Sequence, residues 1–521
     1  MKALKALGAL AAVVVYFFAV LGFGGLTSDS VAMLEQARQV ASTLSGGGWA
    51  ALLASPHAGA ELVAGLVSYA FAASDTFWLW ILSAMAIVAS VPAVYRIGAR
   101  FHGQSAAVVA SVVFATSAPI VAAATSISTS ALCVFAWCWL LDLTTAQPRW
   151  YKMLIAAALS AFLLLSWAPV FLWMVLWLVV TVSLSGRAEL APLALQERGM
   201  MRPAAIDIGV VLVPAIALLL ASVVHPGMWS GLIAGWQAVL GSVIEARPAA
   251  LLFRGEMYPP ARPPIDTGLT FILTRFSLVA VAAALLGLVF AALSQHLGQR
   301  PPKKLYSGLA LAVVLLALLP WMLRSTHYGR VDTLAMVAPI IAIFAGYGVA
   351  RLIELARAML GILPGQRADI AIKAAVALLA ITPLCVESAL AHPHHGSYYN
   401  GLVGGLAGAA DHGYPLDHDG LVPAKLLNAL NTHAGSQPIW AGELAPYLRE
   451  LATMRNERPL NYASTIGDGQ VFVRRYQDFS PRDPTSASRA TASGGEFDTL
   501  QLGPAGVFLF AIDRPFDEDG Q

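Results

Sequence analysis

The run His392-Pro393-His394-His395-Gly396-Ser397-Tyr398-Tyr399-Asn400-Gly401-Leu402-Val403-Gly404-Gly405 sits where an apolar stretch, Ile372–Leu390, gives way to a polar C-terminal tail. Small residues, glycines and hydrogen-bonding side chains follow one another there with little to continue a helix. Such a composition suits a turn at the edge of hydrocarbon, where backbone groups need partners that lipid cannot offer. The rest of the chain is read outward from this boundary.

Of the 521 residues, 58% are hydrophobic and only 12% charged. Soluble domains carry about 25% charged residues, so a water-soluble globular protein is excluded. Mean hydropathy is +0.68. A bilayer-crossing helix needs about 20 mostly apolar residues. About eleven stretches meet that need: Leu7–Phe23, Phe77–Tyr95, Ser105–Ala123, Thr129–Leu143, Met153–Trp167, Val170–Leu184, Ile206–Val224, Thr270–Leu293, Leu305–Leu323, Leu334–Ala350 and Ile372–Leu390. Met153–Leu184 also reads as one long span, although Ser166-Trp167-Ala168-Pro169 supplies a short turn, because proline disfavours helix in the residue before it. The expected fold is an all-α polytopic membrane bundle. The net charge of +2 is spread through loops and gives no footprint for nucleic acid. Cys133, Cys138 and Cys385 lie in apolar segments and show no disulfide or metal spacing.

Basic residues fall on alternate loops: Lys2 and Lys5, Arg96 and Arg100, Arg149 and Lys152, Arg187 to Arg202, Arg300 to Lys304, and Arg351 to Lys373. The intervening loops are poorer in them except near Arg247–Arg275 and at Arg324 and Arg330. By the positive-inside rule the N-terminus is cytoplasmic and the tail outside. This places the polar C-terminal region on the side of the membrane away from the cytoplasm. A cleaved signal peptide is the rival reading of Leu7–Phe23. The expected division is a membrane domain over 1–395, with outside loops 24–75 and 225–267, and an outside domain over 396–521. Long outside segments of this kind usually carry function.

Four outside positions invite chemistry, and each has a plainer alternative. Ser28-Asp29-Ser30 opens an amphipathic helix with Val31, Leu34, Ala37 and Ala41 on one stripe. There Asp29 is either an N-cap or a proton acceptor. His57, in Ser55-Pro56-His57-Ala58, is a loop histidine or a ligand for phosphate or a sugar hydroxyl. Arg254 and Arg262 flank a proline-rich stretch, Pro259 to Pro264, that forces an extended path. A guanidinium forks onto two phosphate oxygens, whether of a substrate or of a lipid headgroup. Tyr328 and Arg330 stand at the outer edge of Leu334–Ala350, where Arg330 either snorkels, pairs with Asp332, or meets a phosphate.

These stretches, in this order, resemble the protein-mannosyltransferase-like glycosyltransferases of the C-type superfamily. The opening run matches their "HPxxxSYYNxLVGG" segment. Leu252 to Thr267 is similar to "lfxGxxyxxxPxxYY", Leu286-Gly287-Leu288 to "lxGl", and Thr326 to Gly346 to "hYxgxRyxxxxxPxxxllaG". The resemblance implies a C-type architecture and transfer of a sugar from a polyprenyl-phosphate donor to a lipid, glycan or protein acceptor at the periplasmic face. It implies Asp29 as general base of an inverting displacement. Arg330, Arg254 and Arg262 would then be phosphate ligands, and His57, Tyr328, Tyr398, Tyr399 and Asn400 substrate-binding residues. Relatives carry a second acid in the loop before the fourth span. Here that loop, Thr125-Ser126-Ile127-Ser128-Thr129-Ser130, has hydroxyls only. Neither a cofactor nor a metal is expected, and a non-catalytic scaffold subunit is the alternative. A transporter would place charges deep in its spans; only Asp142 and Asp207 stand out, near span ends.

In the tail, helices are expected over Leu421–Thr432 and Leu444–Met454, and strands over Pro438–Ala441, Gln470–Arg474 and Gly506–Ile512, a small α/β unit. His392, His394, His395, His412 and His418 match no familiar metal-ligand spacing.

Overall fold

A computed structural model describes residues 25–26, 28–53, 60–71, 75–145, 150–166, 208–224, 251–258, 266–296, 331–362, 367–391, 395–414, 422–433, 437–441, 445–454, 471–475, 497–502 and 510–515, with single positions 237 and 264. The expected spans Leu7–Phe23, Val170–Leu184 and Leu305–Leu323 lie outside the described residues. The described chain is mainly helical.

Strand β1 (Gly25–Leu26) precedes α1 (Ser28–Leu53) and α2 (Ala60–Ala70), a pair whose Met33, Leu34, Ala37, Ala60 and Ala64 share the bundle's hydrophobic core. Helix α1 runs well beyond the expected end at Ala41. Its stripe Met33, Leu34, Ala37, Val40 and Leu44 is buried, and Val40 fills the space over Gly65 of α2. Then comes α3 (Asp75–Thr116), which Gly103 breaks with φ 80 and ψ −177 into limbs Asp75–Arg100 and Gly103–Thr116. A positive φ of this kind is cheap only for glycine. The second limb turns by 57° at Ser117 into α4 (Ala118–Thr125), whose first turn holds Pro119. Next come α5 (Thr129–Thr145), α6 (Trp150–Ser166) and α7 (Ile208–Val224), then a hairpin of β2 (Leu251–Phe253) and β3 (Glu256–Tyr258).

The structure corrects the expected single span Thr270–Leu293. It is two helices, α8 (Thr267–Arg275) and α9 (Leu278–His296), meeting at 115°. Phe276 between them is extended, with φ −102 and ψ 154. The apolar run is continuous in sequence, but the α8 end is fastened from outside, as described below.

Two long helices complete the bundle: α10 (Val331–Met359) and α11 (Arg367–Ala391). Almost every residue from Leu334 to Ala350 is buried, so α10 is the axis of the bundle, whereas α11 lies at its surface. Among the described residues, Asp75–Arg100, Leu334–Met359 and Arg367–Ala391 are long and apolar enough to cross a membrane, and the bent pairs Gly103–Thr125 and Thr267–Ala291, if each is one span, raise the number to five. The chain is therefore a multi-pass membrane protein. Gly346 of α10 lies on the Ala106 carbonyl of α3, and Gly348 lies on the Ala283 carbonyl of α9. Gly287 in turn meets the Phe344 carbonyl. Two of the motif glycines, Gly287 and Gly346, are thus places where helix backbones touch, the usual means of association where lipid removes the hydrophobic drive.

Charges and aromatic rings mark the bundle's two ends. At one, Asp142, fully buried on α5, receives Arg100 at 2.6 Å and Arg96 at 3.2 Å. Trp150 and Tyr151 are exposed nearby in sequence on α6, and Asp369 of α11 pairs with Arg357 at 3.1 Å and Lys373 at 2.8 Å. At the other, Phe71 stacks on Trp78 at 4.5 Å beside exposed Phe77. Rings at both ends are the pattern of membrane interfaces.

The tail follows α12 (Gly405–Asp411). It comprises β4 (Val422–Pro423), α13 (Ala424–His433), β5 (Ile439–Trp440), α14 (Ala445–Met454), β6 (Val471–Arg475), β7 (Phe497–Leu502) and β8 (Phe510–Pro515). The last four strands form a sheet in the order β5-β6-β8-β7, in which only β5 and β6 are parallel. β7 falls in a stretch that carried no strand expectation. β4 pairs antiparallel with β1, joining the tail to the start of the chain's first outside segment.

Candidate active site

The described parts 25–26, 28–53, 251–258 and 395–414 converge at the Phe71–Trp78 end of the bundle. Asp29 is the second residue of α1. Its neighbour Ser30 is fully buried and donates through Oγ to the Ile127 carbonyl at 2.7 Å. The first turn of α1 is thereby docked on the very loop that lacks an acid. In that loop Thr125 Oγ1 donates to the Val121 carbonyl at 2.8 Å, and Ser126 Oγ to the Ala122 carbonyl at 2.7 Å. Ser128 and Ser130 share a 2.7 Å hydrogen bond, and the Ser128 amide donates to Ser83 Oγ at 3.1 Å. These hydroxyls satisfy helix ends and each other, which explains their number: buried polar groups need partners.

The opening motif is explained by a reciprocal clasp with α8. Asn400 Nδ2 donates to the carbonyls of Leu273 and Phe276, both at 2.7 Å, and its amide donates to the Thr274 carbonyl at 2.8 Å. The last carbonyls of a helix have no intrahelical donor, and Asn400 supplies three. In return Arg275, almost fully buried, donates to the carbonyls of Gly396 and Tyr398 and to Tyr399 Oη at 2.9 Å. Its guanidinium lies 3.9 Å from the Tyr399 ring centre. Asn400 Oδ1 also accepts from the Leu402 amide, starting a short turn that ends on left-handed Gly404 and Gly405, with φ 80 and φ 69. The paired glycines are required by that backbone. Burial pushes the Tyr399 hydroxyl up to about 12, against the opposing Arg275 charge. Tyr398 donates to Glu387 Oε2 at 2.7 Å; burial first, and then this carboxylate, raise its pKa.

We expect Asn400→Asp to be more damaging than its size suggests. A carboxylate would face two carbonyl oxygens in a buried site, where an uncompensated group costs about 1–3 kcal/mol or more. Thermal unfolding in detergent should show a drop of at least that size. An unchanged midpoint would show the clasp to be idle.

Arg254 occupies the tip of the β2–β3 hairpin with φ 52, a left-handed conformation rare for a side-chain-bearing residue. Its guanidinium pairs with Asp266 at 2.7 Å, reaches Tyr414 Oη at 3.4 Å, and remains half exposed. Those contacts, Tyr414 first, raise its pKa. The hairpin is held down because the Gly255 amide donates to the Gly413 carbonyl at 3.0 Å. Phe253 lies edge-on to Phe271 at 5.8 Å and to Tyr414 at 5.6 Å, and Tyr414 lies 5.8 Å from Tyr399. One aromatic column thus joins the hairpin, α8 and the motif.

Of the sequence-derived site residues, Arg254, Tyr398, Tyr399 and Asn400 come together around α8, and Asp29 lies at the adjoining end of α1. Tyr399 and Asn400 are buried in the clasp. His57, Arg262, Tyr328 and Arg330 lie outside the described residues. The sequence reading missed Arg275, Asp266, Tyr414 and Glu387. For two of them a signal existed: Arg275 and Glu387 are ionisable residues inside the apolar runs Thr270–Leu293 and Ile372–Leu390, where such groups are rare and partnered.

No family model and no curated protein matches the sequence. Among solved structures, the chain is similar to ArnT from Cupriavidus metallidurans in the apo state, at 14% identity and a TM-score of 0.49 over 98% of each chain. The same protein bound to undecaprenyl phosphate gives 13% identity and 0.49 over 97% of each. The archaeal oligosaccharyltransferase AglB from Archaeoglobus fulgidus, in complex with an inhibitory peptide and a dolichol-phosphate, gives 12% and 0.46 over 94% of this chain and 68% of that one.

Proposed function

We propose that this protein transfers a sugar from a polyprenyl-phosphate donor to a lipid, glycan or protein acceptor at the outer face of the bacterial inner membrane. The observation that carries the reading is the docking of the Asp29 turn, through Ser30, on the loop beside α4, at the end of the bundle where the motif and Arg254 also lie. In the reaction, the acceptor hydroxyl attacks the anomeric carbon while Asp29 takes its proton. The new carbon–oxygen bond forms as the bond to phosphate oxygen breaks, and the lipid phosphate leaves with the electron pair, inverting the centre. Charge grows on that phosphate and is best met by fixed cations, the role we give Arg254 and, with it, Arg330 and Arg262. The hydroxyl-only loop Thr125–Ser130 favours one other reading, a non-catalytic member of the same family that binds donor lipid without turning it over.

The test is to incubate the purified protein in lipid with radiolabelled polyprenyl-phosphate hexoses, with and without membrane extract. Transfer or slow donor hydrolysis supports the enzyme; donor binding without turnover supports the scaffold. In the same assay Arg254→Ala should raise donor KM about 10–100-fold, the worth of a charge-assisted hydrogen bond of about 1.5–3 kcal/mol. Arg254→Lys should recover part of this, since a point charge replaces the fork. An unchanged donor KM in Arg254→Ala removes the phosphate role.

A further inference from the structure

The tail grips the helix that carries Asp29 at two points. Just before that helix, β4 pairs with β1 in the register Gly25↔Pro423 and Leu26↔Val422, so tail backbone lies three residues from Asp29. Further along α1, Arg38 reaches two carboxylates at once. Its Nε and Nη2 donate to Asp75 at 2.7 and 3.1 Å, and its Nη1 and Nη2 donate to Glu450 of α14 at 3.0 and 2.8 Å. Thr76 Oγ1 also donates to Glu450 at 3.2 Å, and Ser68 Oγ of α2 to Asp75 at 3.2 Å. One guanidinium therefore ties α1 to the first membrane limb and to the tail. Hydrogen bonds to Asp75 and then Glu450 raise its pKa.

Asp29 and Arg38 are nine residues apart, about 13.5 Å along a helix. The two grips therefore bracket the N-terminal half of α1, whose other face is solvated through exposed Glu35, Gln39 and Arg38 itself. At the Asp29 end Ser30 donates to the Ile127 carbonyl, and Met33, Leu34 and Ala37 are buried in the bundle's hydrophobic core. A misplacement of about 1 Å can cost 10²-fold in rate, so contacts that fix the start of this helix bear directly on the reaction.

We propose that the C-terminal tail is a positioning element for the Asp29 helix: Glu450, acting through Arg38, and the Val422–Pro423 strand hold Asp29 in register with the reacting carbon. This rests on the reading of Asp29 as general base. Glu450 and Arg38 are positioning residues; they touch no reacting atom. The tail acts on kcat and leaves donor binding to the Arg254 side of the site.

The test uses the full-length protein in lipid nanodiscs with a radiolabelled polyprenyl-phosphate hexose. Glu450→Ala is expected to lower kcat about tenfold with donor KM within about twofold of native. Glu450→Gln, which keeps the shape and one acceptor, serves as a second variant if the first aggregates, and should fall between. Leu26→Cys with Val422→Cys places two thiols on facing residues of an antiparallel pair, whose Cα separation of about 4.5–5.5 Å suits a disulfide. Oxidising that pair in the Glu450→Ala background should restore most of the lost kcat, and reducing it should lose the gain again. Native kcat in both Glu450 variants, or a disulfide that forms without restoring kcat, overturns the proposal. Failure of the underlying reading looks different. If Asp29→Asn turns over normally, the base assignment falls. If Asp29→Asn is inactive while Glu450→Ala is native in rate, the base stands and the tail's role falls.

Discussion

Replacing Asp29 by Asn is expected to cut sugar transfer by about 10²–10⁴-fold, the range a positioned general base contributes, while the protein stays folded. Asparagine is nearly isosteric, and at the second helical position it gives up only a first-turn carboxylate's attraction to the helix dipole, about 0.3–1 kcal/mol, so α1 should start where it does now. What disappears is the ability to take the acceptor's proton as the bond to the anomeric carbon forms. The donor should still bind, because its phosphate contacts lie with the arginines. The measurement is the radiolabelled transfer assay, with donor binding followed separately. A variant that transfers at the native rate would end the assignment of Asp29 and return it to the plainer role of a first-turn carboxylate at the helix dipole. A variant that loses donor binding in parallel would show a structural effect in place of a chemical one.

The second large effect is expected at Gly348. A Cβ there would fall on the Ala283 carbonyl oxygen and against the Gly287 amide, while Gly287 itself is pressed on the Phe344 carbonyl. These are backbone atoms of two helices in contact, so no rotamer change relieves the clash. The helices must separate, and α10 cannot shift away because Gly346 holds it against the Ala106 carbonyl on the other side. Overpacking a core costs about 1–3 kcal/mol or more, and here the added bulk pries open the bundle's central interface. Gly348→Val should therefore lower thermal stability by at least about 3 kcal/mol and leave most of the protein aggregated in detergent. Gly46 is the internal control. It lies inside α1 with nothing within 4 Å of an added Cβ, so Gly46→Ala should stabilise by about 0.5–1 kcal/mol. A monodisperse Gly348→Val protein with a native unfolding midpoint would refute the tight contact.

The sequence by itself determined that this is a membrane bundle, because 58% hydrophobic residues in runs of about 20 leave no other folded state in water or lipid. It also picked out the boundary run His392–Gly405, since Pro, Gly and polar residues cannot continue a membrane helix without partners. Only the tertiary structure decided what that run is for. Asn400, Tyr399 and the paired glycines read alike as substrate ligands or as framework. Their partners, the end carbonyls of α8 and the side chain of Arg275, lie more than 120 residues away. The same holds for the 115° break between α8 and α9. Hydropathy sees one apolar run there, because a helix end fastened by a distant side chain leaves no trace in local composition. The link from Glu450 to Arg38 spans 412 positions. Neither residue is unusual in its own neighbourhood, and only folding gives them a common partner.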